Sequence, residues 1–196
     1  MQIAVDHSQR IDLPEFVFTR LIKIGSLSGF ISLLILMLAS CQSPVTNTIE
    51  PVSLGGMKKL HQVGNVYLGS QPGTEDLRLL KQKGVRTVIN LRHESEQAGF
   101  DEKEAVEEQG MRYIHIPFNG GEELTDEVLD EAIDSLAGFK EPALMHCASS
   151  NRVGAVWMAF RIKEHGLEYD AALEEARTAG LRSEAYIERV REYIDQ

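Results

Sequence analysis

From residue 54 onward, short apolar runs alternate with stripes of helical spacing, and glycine or a capping residue stands at most of the junctions. Leu60–Val63 and Val66–Leu68 flank Gly64-Asn65, the two-residue spacing of a tight hairpin. Thr74 is placed to cap a helix that turns Leu77 and Leu80 to one side and ends at Gly84. Val85–Leu91 is β-branched and apolar, the pattern of a strand buried on both faces. Asp101–Gln109 predicts an acidic helix stopped by Gly110, its charges forming a solvated face. Met111–Pro117 alternates and predicts the next strand. Thr125 caps a helix over 126–137, with Val128, Leu129, Ala132, Ile133 and Leu136 on one stripe. Ala143–His146 is a short apolar strand. Val153–His165, with Val153, Val156, Trp157 and Phe160 apolar, is a central helix. Two closing helices follow, the last marked by Ile187, Val190 and Ile194. This alternation predicts an α/β fold of three layers, a mostly parallel central sheet flanked by helices. Sheets of that kind bind ligands at the C-terminal ends of their strands.

Residues 1–40 read differently. Phe30–Leu38 is nearly all apolar and is preceded by Arg20, Lys23 and a Gly/Ser stretch. The run is too short to span a hydrocarbon core, which takes about 20 residues. A basic flank, a short apolar stretch and the small residues Ala39-Ser40 have the layout of a secretory signal. Leu38-Ala39-Ser40-Cys41 resembles the lipobox of bacterial lipoproteins, which implies lipidation of Cys41 and loss of residues 1–40. The alternative is a membrane or buried helix that happens to hold a cysteine. Gln42–Ser53 carries two prolines and several Ser, Thr and Asn residues, and predicts a flexible tether with a span of about 20 Å. The organisation expected is a signal segment over 1–40, a lipid-anchored Cys41 and tether over 41–53, and a folded domain over 54–196. The location expected is the bacterial cell envelope. Gln42 after the cysteine favours the outer membrane, facing the periplasm, in a Gram-negative host.

A chain of 196 residues, 43% of them hydrophobic, suffices for one domain plus such extras. Its net charge of −10 repels nucleic acid and anionic head groups. No nucleic-acid partner is therefore expected, and an anionic substrate must be captured by a local positive site. The six histidines are scattered without metal-ligand spacing, so neither metal nor cofactor is expected. With Cys41 taken by lipid, Cys147 is the remaining thiol of an exported protein. Such a thiol is either buried and inert or kept for its reactivity.

The segment from Ala143 to Val153 runs from an apolar strand through small polar residues into a helix. Small side chains let the backbone curl until successive N–H groups face one bowl at the helix N-terminus. That geometry binds an oxyanion and favours a thiolate. Arg152, in the first helical turn, opposes the macrodipole unless an anion sits there, and its fork offers that anion two parallel donors. Read one by one, these residues have plainer roles. Cys147 could be a small core residue, Ser150 or Asn151 an N-cap, Arg152 a partner for a surface carboxylate, and His146 a hydrogen-bonded core residue.

Taken together, His146-Cys147-Ala148-Ser149-Ser150-Asn151-Arg152 resembles the phosphate-binding loop of cysteine-dependent tyrosine and dual-specificity phosphatases. The segments VYLGSQP, VINLR and RYIHIPF resemble the same fold in order and spacing. The likeness covers residue 58 onward and is nearest to the phosphatase-like domain joined to bacterial beta-lactamase-hydrolase-like proteins. It implies hydrolysis of phosphate monoesters, on a protein or small molecule, through a cysteinyl-phosphate. Cys147 is then the nucleophile and Arg152 the phosphate clamp, with the N–H groups of Ala148, Ser149, Ser150, Asn151 and Arg152 as oxyanion donors. The loop departs from the family pattern in three ways. Four residues rather than five separate Cys147 from Arg152, no glycine lies between them, and Val153 stands where many relatives carry a hydroxyl. Rhodanese-like sulfurtransferases share the shorter loop, so sulfur transfer is one alternative; non-catalytic phospho-ligand binding is the other, on the missing hydroxyl at Val153 and the lack of an Asp directly after the strand before the loop. A general acid is sought in the loop Phe118–Asp126, where Glu122, Glu123 and Asp126 are the candidates. Asp126 also suits a first helical turn.

Overall fold

The computed structural model describes residues 48–196, Gln97 and Phe139 excepted. The expected signal segment, Cys41 and the first part of the tether lie outside the described residues. Six strands form one sheet: β1 Glu50–Pro51, β2 Leu60–Val63, β3 Val66–Gly69, β4 Thr87–Asn90, β5 Arg112–His115 and β6 Ala143–His146. Six helices accompany them: α1 Thr74–Gln82, α2 Glu102–Glu108, α3 Asp126–Ala137, α4 Asn151–His165, α5 Tyr169–Ala179 and α6 Glu184–Ile194.

The strand order is β1-β2-β3-β6-β4-β5. The ladders β3–β6, β6–β4 and β4–β5 are parallel, while β1 and β2 extend the sheet antiparallel at one edge. Gly64-Asn65 makes the hairpin turn, with Gly64 at φ 57°, where a side chain on Cβ would be strained. The expected tether to Ser53 is shorter than the sequence predicted. Glu50 and Pro51 pair with Gln62 and His61, and Val52 N–H donates to Leu60 O at 2.8 Å. Two residues of pairing at an exposed edge need little apolar content, which is why composition did not announce them.

The strand period of two sorts side chains between the faces. Tyr67, Val88 and Leu144 pack under α1 and α2 with Leu77, Leu80, Val106 and Met111. Leu68, Ile89 and Met145 point the other way into the larger core beneath α3, α4, α5 and α6. Helix α4 is buried from Arg152 to Arg161, so it is apolar almost all round and forms the centre of that layer. A Cβ on Gly154 would come within 2.8 Å of both Ala176 O and Leu181 N, so this glycine lets α4 meet the α5–α6 turn directly. Because β3, β6, β4 and β5 run parallel, their C-terminal ends share one edge, with Cys147 leaving the central strand between the ends of β3 and β4.

Candidate active site

Gly69 and Asn90 stand opposite His146 in the two ladders of β6. Their neighbours pin the strand end: Cys147 N–H donates to Gly69 O at 3.3 Å, and Leu91 N–H donates to His146 O at 3.0 Å. Cys147 is 1% exposed. The chain then curls through exposed Ala148, half-buried Ser149 and buried Ser150 into α4. Ser150 has φ 69°, the only positive φ on a non-glycine residue among those described. It holds the left-handed turn for which the sequence offered no glycine, and its Oγ is buried without a hydrogen-bond partner. The first bond of α4 runs from Gly154 N–H to Ser150 O at 3.0 Å. The N–H groups of Asn151, Arg152 and Val153 thus have no carbonyl behind them in the helix.

Arg152 is fixed from one side. Its Nη1 donates to Leu91 O at 3.1 Å and Phe118 O at 2.9 Å. Its two terminal nitrogens meet the Glu96 carboxylate at 2.6 and 2.7 Å. Burial works against the guanidinium charge, but Glu96 and the nearby Cys147 sulfur more than offset it, and the Arg152 pKa is raised. The Arg152 hydrogen bond holds Glu96 down to about 2, assisted by the His93 N–H at 3.0 Å. The sequence asked for an anion at Arg152, and within the folded chain that anion is Glu96. No periodicity marked it, because it lies in the irregular stretch after β4.

His146 is fully buried, as a core histidine was expected to be, but its partner was not foreseen. His146 Nε2 lies 2.5 Å from Glu102 Oε1, though not along a hydrogen-bond direction. Glu102 Oε2 accepts from Gln71 Nε2 at 3.0 Å and from Asn90 Nδ2 at 3.3 Å. Burial pushes the Glu102 carboxyl up, yet His146 and Gln71 leave it below the usual range. The expected solvated face of α2 is therefore corrected at this residue. Glu102 turns inward because a buried imidazole and two amides replace its water.

The loop bearing the acid candidates divides them. Glu123 Oε2 accepts from Asn119 N–H at 2.7 Å and lies 2.6 Å from His93 Nε2. The His93 contact draws its carboxyl below the ordinary range. Glu122 is exposed and takes part in none of these contacts. Asp126 opens α3 and is bound by Arg189 of α6, which lowers its pKa. It thus takes the helix-terminal role. Tyr186 Oη accepts from Gly120 N–H at 2.9 Å and ties the loop to α6. Beside the site, a cavity of about 930 Å³ opens between the ends of β4 and β5, with Arg92, His93, Glu96, Tyr113 and His115 in its walls. Glu96 links it to Arg152.

A further cation stands at the loop from the opposite side. Arg182, in the α5–α6 turn, donates from Nη2 to Ser149 Oγ at 2.7 Å. Asn151 Oδ1 accepts from the N–H groups of Arg182 at 2.8 Å and Ser183 at 3.2 Å, so Asn151 braces the turn instead of capping α4.

Residues 42–190 match the family described as DSP-PTPase phosphatase fused to NAD+ kinase. The dual specificity protein phosphatase TpbA of Pseudomonas aeruginosa (strain UCBPP-PA14) is 27% identical over 121 residues, covering 61% of this chain and 53% of TpbA. The chain thus matches about half the length of that relative. A DUF442 protein of Shewanella putrefaciens CN-32 superposes with TM-score 0.62 at 23% identity, covering 71% of this chain and 93% of its own. Pseudomonas aeruginosa TpbA with a Cys-to-Ser substitution, solved in complex with pTyr, superposes with TM-score 0.59 at 21% identity, covering 79% and 91%. These structures establish the α/β phosphatase fold expected from the sequence.

Proposed function

The chain belongs to the family of DSP-PTPase phosphatases fused to NAD+ kinase, and from that premise we propose that it hydrolyses phosphate monoesters through a cysteinyl-phosphate intermediate. One observation carries the reading: Arg152, 5% exposed, is held beside Cys147 by Leu91 O, Phe118 O and Glu96. A buried guanidinium fixed before substrate arrives is a clamp for a tetrahedral anion and costs little reorganisation when charge develops.

In this reading the Cys147 Sγ thiolate attacks phosphorus, an S–P bond forms and the ester P–O bond breaks. The N–H groups from Ala148 to Arg152 hold the non-bridging oxygens, together with the Nε–H and the second Nη2–H of Arg152, the guanidinium edge that Glu96 does not occupy. Glu122 gives the leaving oxygen its proton. Among the described residues it has no hydrogen-bond or ion-pair partner, which supports it over Glu123, held as an anion by His93 and Asn119. Water then attacks phosphorus, its proton passes to Glu122, and S–P cleavage returns the thiolate. Gly120 and Gly121 precede Glu122 in the chain, and release of the Gly120–Tyr186 hydrogen bond would let the acid loop swing. The pTyr held by TpbA makes an aryl phosphate a suitable first substrate. Attachment of the domain to a membrane through lipidated Cys41 remains part of the proposal, on the strength of Leu38-Ala39-Ser40-Cys41.

The test is turnover of phenyl phosphate beside turnover of thiosulfate with cyanide. Phosphate release without thiocyanate is the expected result. Thiocyanate without phosphate release assigns the loop to sulfur transfer. Binding of phosphate with neither product makes it a phospho-ligand site.

A further inference from the structure

Among the described residues, Arg182 differs from the other cations near the loop in having no acidic partner. Arg152 and Arg92 both share Glu96, and Arg189 is bound by Asp126. Arg182 forms no ion pair among the described residues, although the chain carries net charge −10. Instead its guanidinium donates to Ser149 Oγ at 2.7 Å and to Gly180 O at 3.3 Å, both uncharged.

An exposed arginine on a mobile side chain is ordinary, but the backbone beneath this one is locked to the loop. Asn151, the first residue of α4, accepts from both Arg182 and Ser183 N–H. Gly180, at φ 131°, lies so near the loop that an added Cβ would come within 2.9 Å of Ser150 Cβ. Leu181 closes on Gly154 of α4 in the same manner. The turn therefore delivers a charged fork to one rim of the loop at a fixed height. A Ser149 hydroxyl that accepts from Arg182 keeps its own O–H to donate elsewhere. Ala148, next to it, is exposed, so this rim is open to a ligand.

We infer that Arg182 and Ser149 form a subsite for a second oxyanion of the substrate, a phosphate or carboxylate borne close to the scissile phosphate. The inference rests on the phosphatase reading and narrows its substrate class to phosphate esters with two anionic groups. Arg152 is committed to the reacting phosphate, while Arg182 takes the additional group, for which a planar fork is well shaped.

The experiment compares kcat/KM of the full chain for phenyl phosphate, carboxyphenyl phosphate and meta-phenylene bisphosphate. A preference of roughly tenfold or more for a two-anion substrate is expected, residing mainly in KM. In Arg182→Gln that ratio should fall to near one, and Arg182→Lys should restore part of it. The bisphosphate and carboxylate arms show which oxyanion the subsite takes. A wild-type ratio near one overturns the inference. So does an Arg182→Gln variant that slows all three substrates equally, since Arg182 would then only brace the loop. If no ester is hydrolysed, the phosphatase reading has failed, and the subsite is read from binding to the Cys147→Ser variant. Pyrophosphate should bind that protein more tightly than phosphate, with the advantage lost on adding Arg182→Gln. Equal affinities, or an advantage that survives the substitution, overturn the subsite.

Discussion

The Glu96 carboxylate lies across both terminal nitrogens of Arg152, at 2.6 and 2.7 Å. Carboxylate and guanidinium planes match as a fork, so the contact fixes orientation as well as charge. Leu91 O and Phe118 O take further Nη1 bonds. Glu96→Gln should therefore leave Arg152 charged but less well aimed. A misaimed clamp costs transition-state binding, and kcat/KM for an aryl phosphate should fall roughly tenfold or more. Glu96→Ala should fall at least as far. Full activity in both variants would remove Glu96 from the site.

The same pair sets a pH dependence of stability. Glu96 titrates at about 2 in the folded chain, against a reference value of 4.5. A depressed carboxyl stabilises the fold above its unfolded pKa and loses that contribution as pH falls through the folded value. The window is therefore about pH 4.5 down to about 2. With the carboxylate partly open to water, the contribution is about 1–2 kcal/mol after screening. Denaturant unfolding of wild type and Glu96→Gln across this range should show the two curves converging at acid pH. A constant gap between them would deny the linkage.

The two acids of the Gly120-Gly121 loop should respond differently. Glu122→Gln should slow esters with poor leaving groups by roughly 100-fold or more while affecting nitrophenyl phosphate far less, because nitrophenolate departs without a proton. Glu123→Gln gives up the His93 and Asn119 contacts and should act on loop order, raising KM for both kinds of ester together. An exchange of these two patterns would make Glu123 the acid.

Much of this arrangement could be read from the chain, and the remainder fails for identifiable reasons. The strand β6 and the cap Thr125 were legible because their signals are local: an apolar run, and a hydroxyl that accepts from Val128 N–H at 3.4 Å. Val85–Leu91 was read too long. Val85 N–H closes the end of α1 on Leu80 O, leaving Thr87–Asn90 as the strand. The placement of Cys147 after a strand and of Arg152 in a first helical turn was legible because strand, small residues and helix follow one another in sequence. Glu96, Glu102 and Arg182 were not, since each reaches the loop from another segment. Glu102 was misread because charge pattern cannot reveal a buried partner such as His146.

Cys41 lies outside the described residues, and its proposed lipid is tested directly. Mass spectrometry of membrane-extracted protein should find an acylated N-terminal Cys41 and no residues 1–40. Cys41→Ala should leave the membrane fraction. An unprocessed N-terminus, or undiminished membrane retention, would refute the anchor.

Cys147 and Arg152 should separate chemistry from binding. Cys147 is a buried sulfur at the end of β6, in electrostatic contact with a guanidinium that the protein already holds in place. Replacing its sulfur by oxygen keeps the backbone bowl and the Arg152 guanidinium but removes the proposed nucleophile. Turnover in Cys147→Ser should fall by roughly four orders of magnitude or more, because water has no equivalent route through a covalent intermediate. Phosphate or vanadate should still bind. Arg152→Lys preserves the charge and surrenders the paired donors, leaving Glu96 and the two carbonyls with a single ammonium. That variant should lose roughly 100- to 1,000-fold in kcat, the scale seen when one preorganised donor is taken from an oxyanion site. It should also bind phosphate more weakly than Cys147→Ser does. The contrast is the decisive reading, since one variant binds without reacting and the other is impaired in both. A Cys147→Ser protein that still hydrolyses phenyl phosphate would end the cysteinyl-phosphate mechanism while leaving the fold and the anion loop intact.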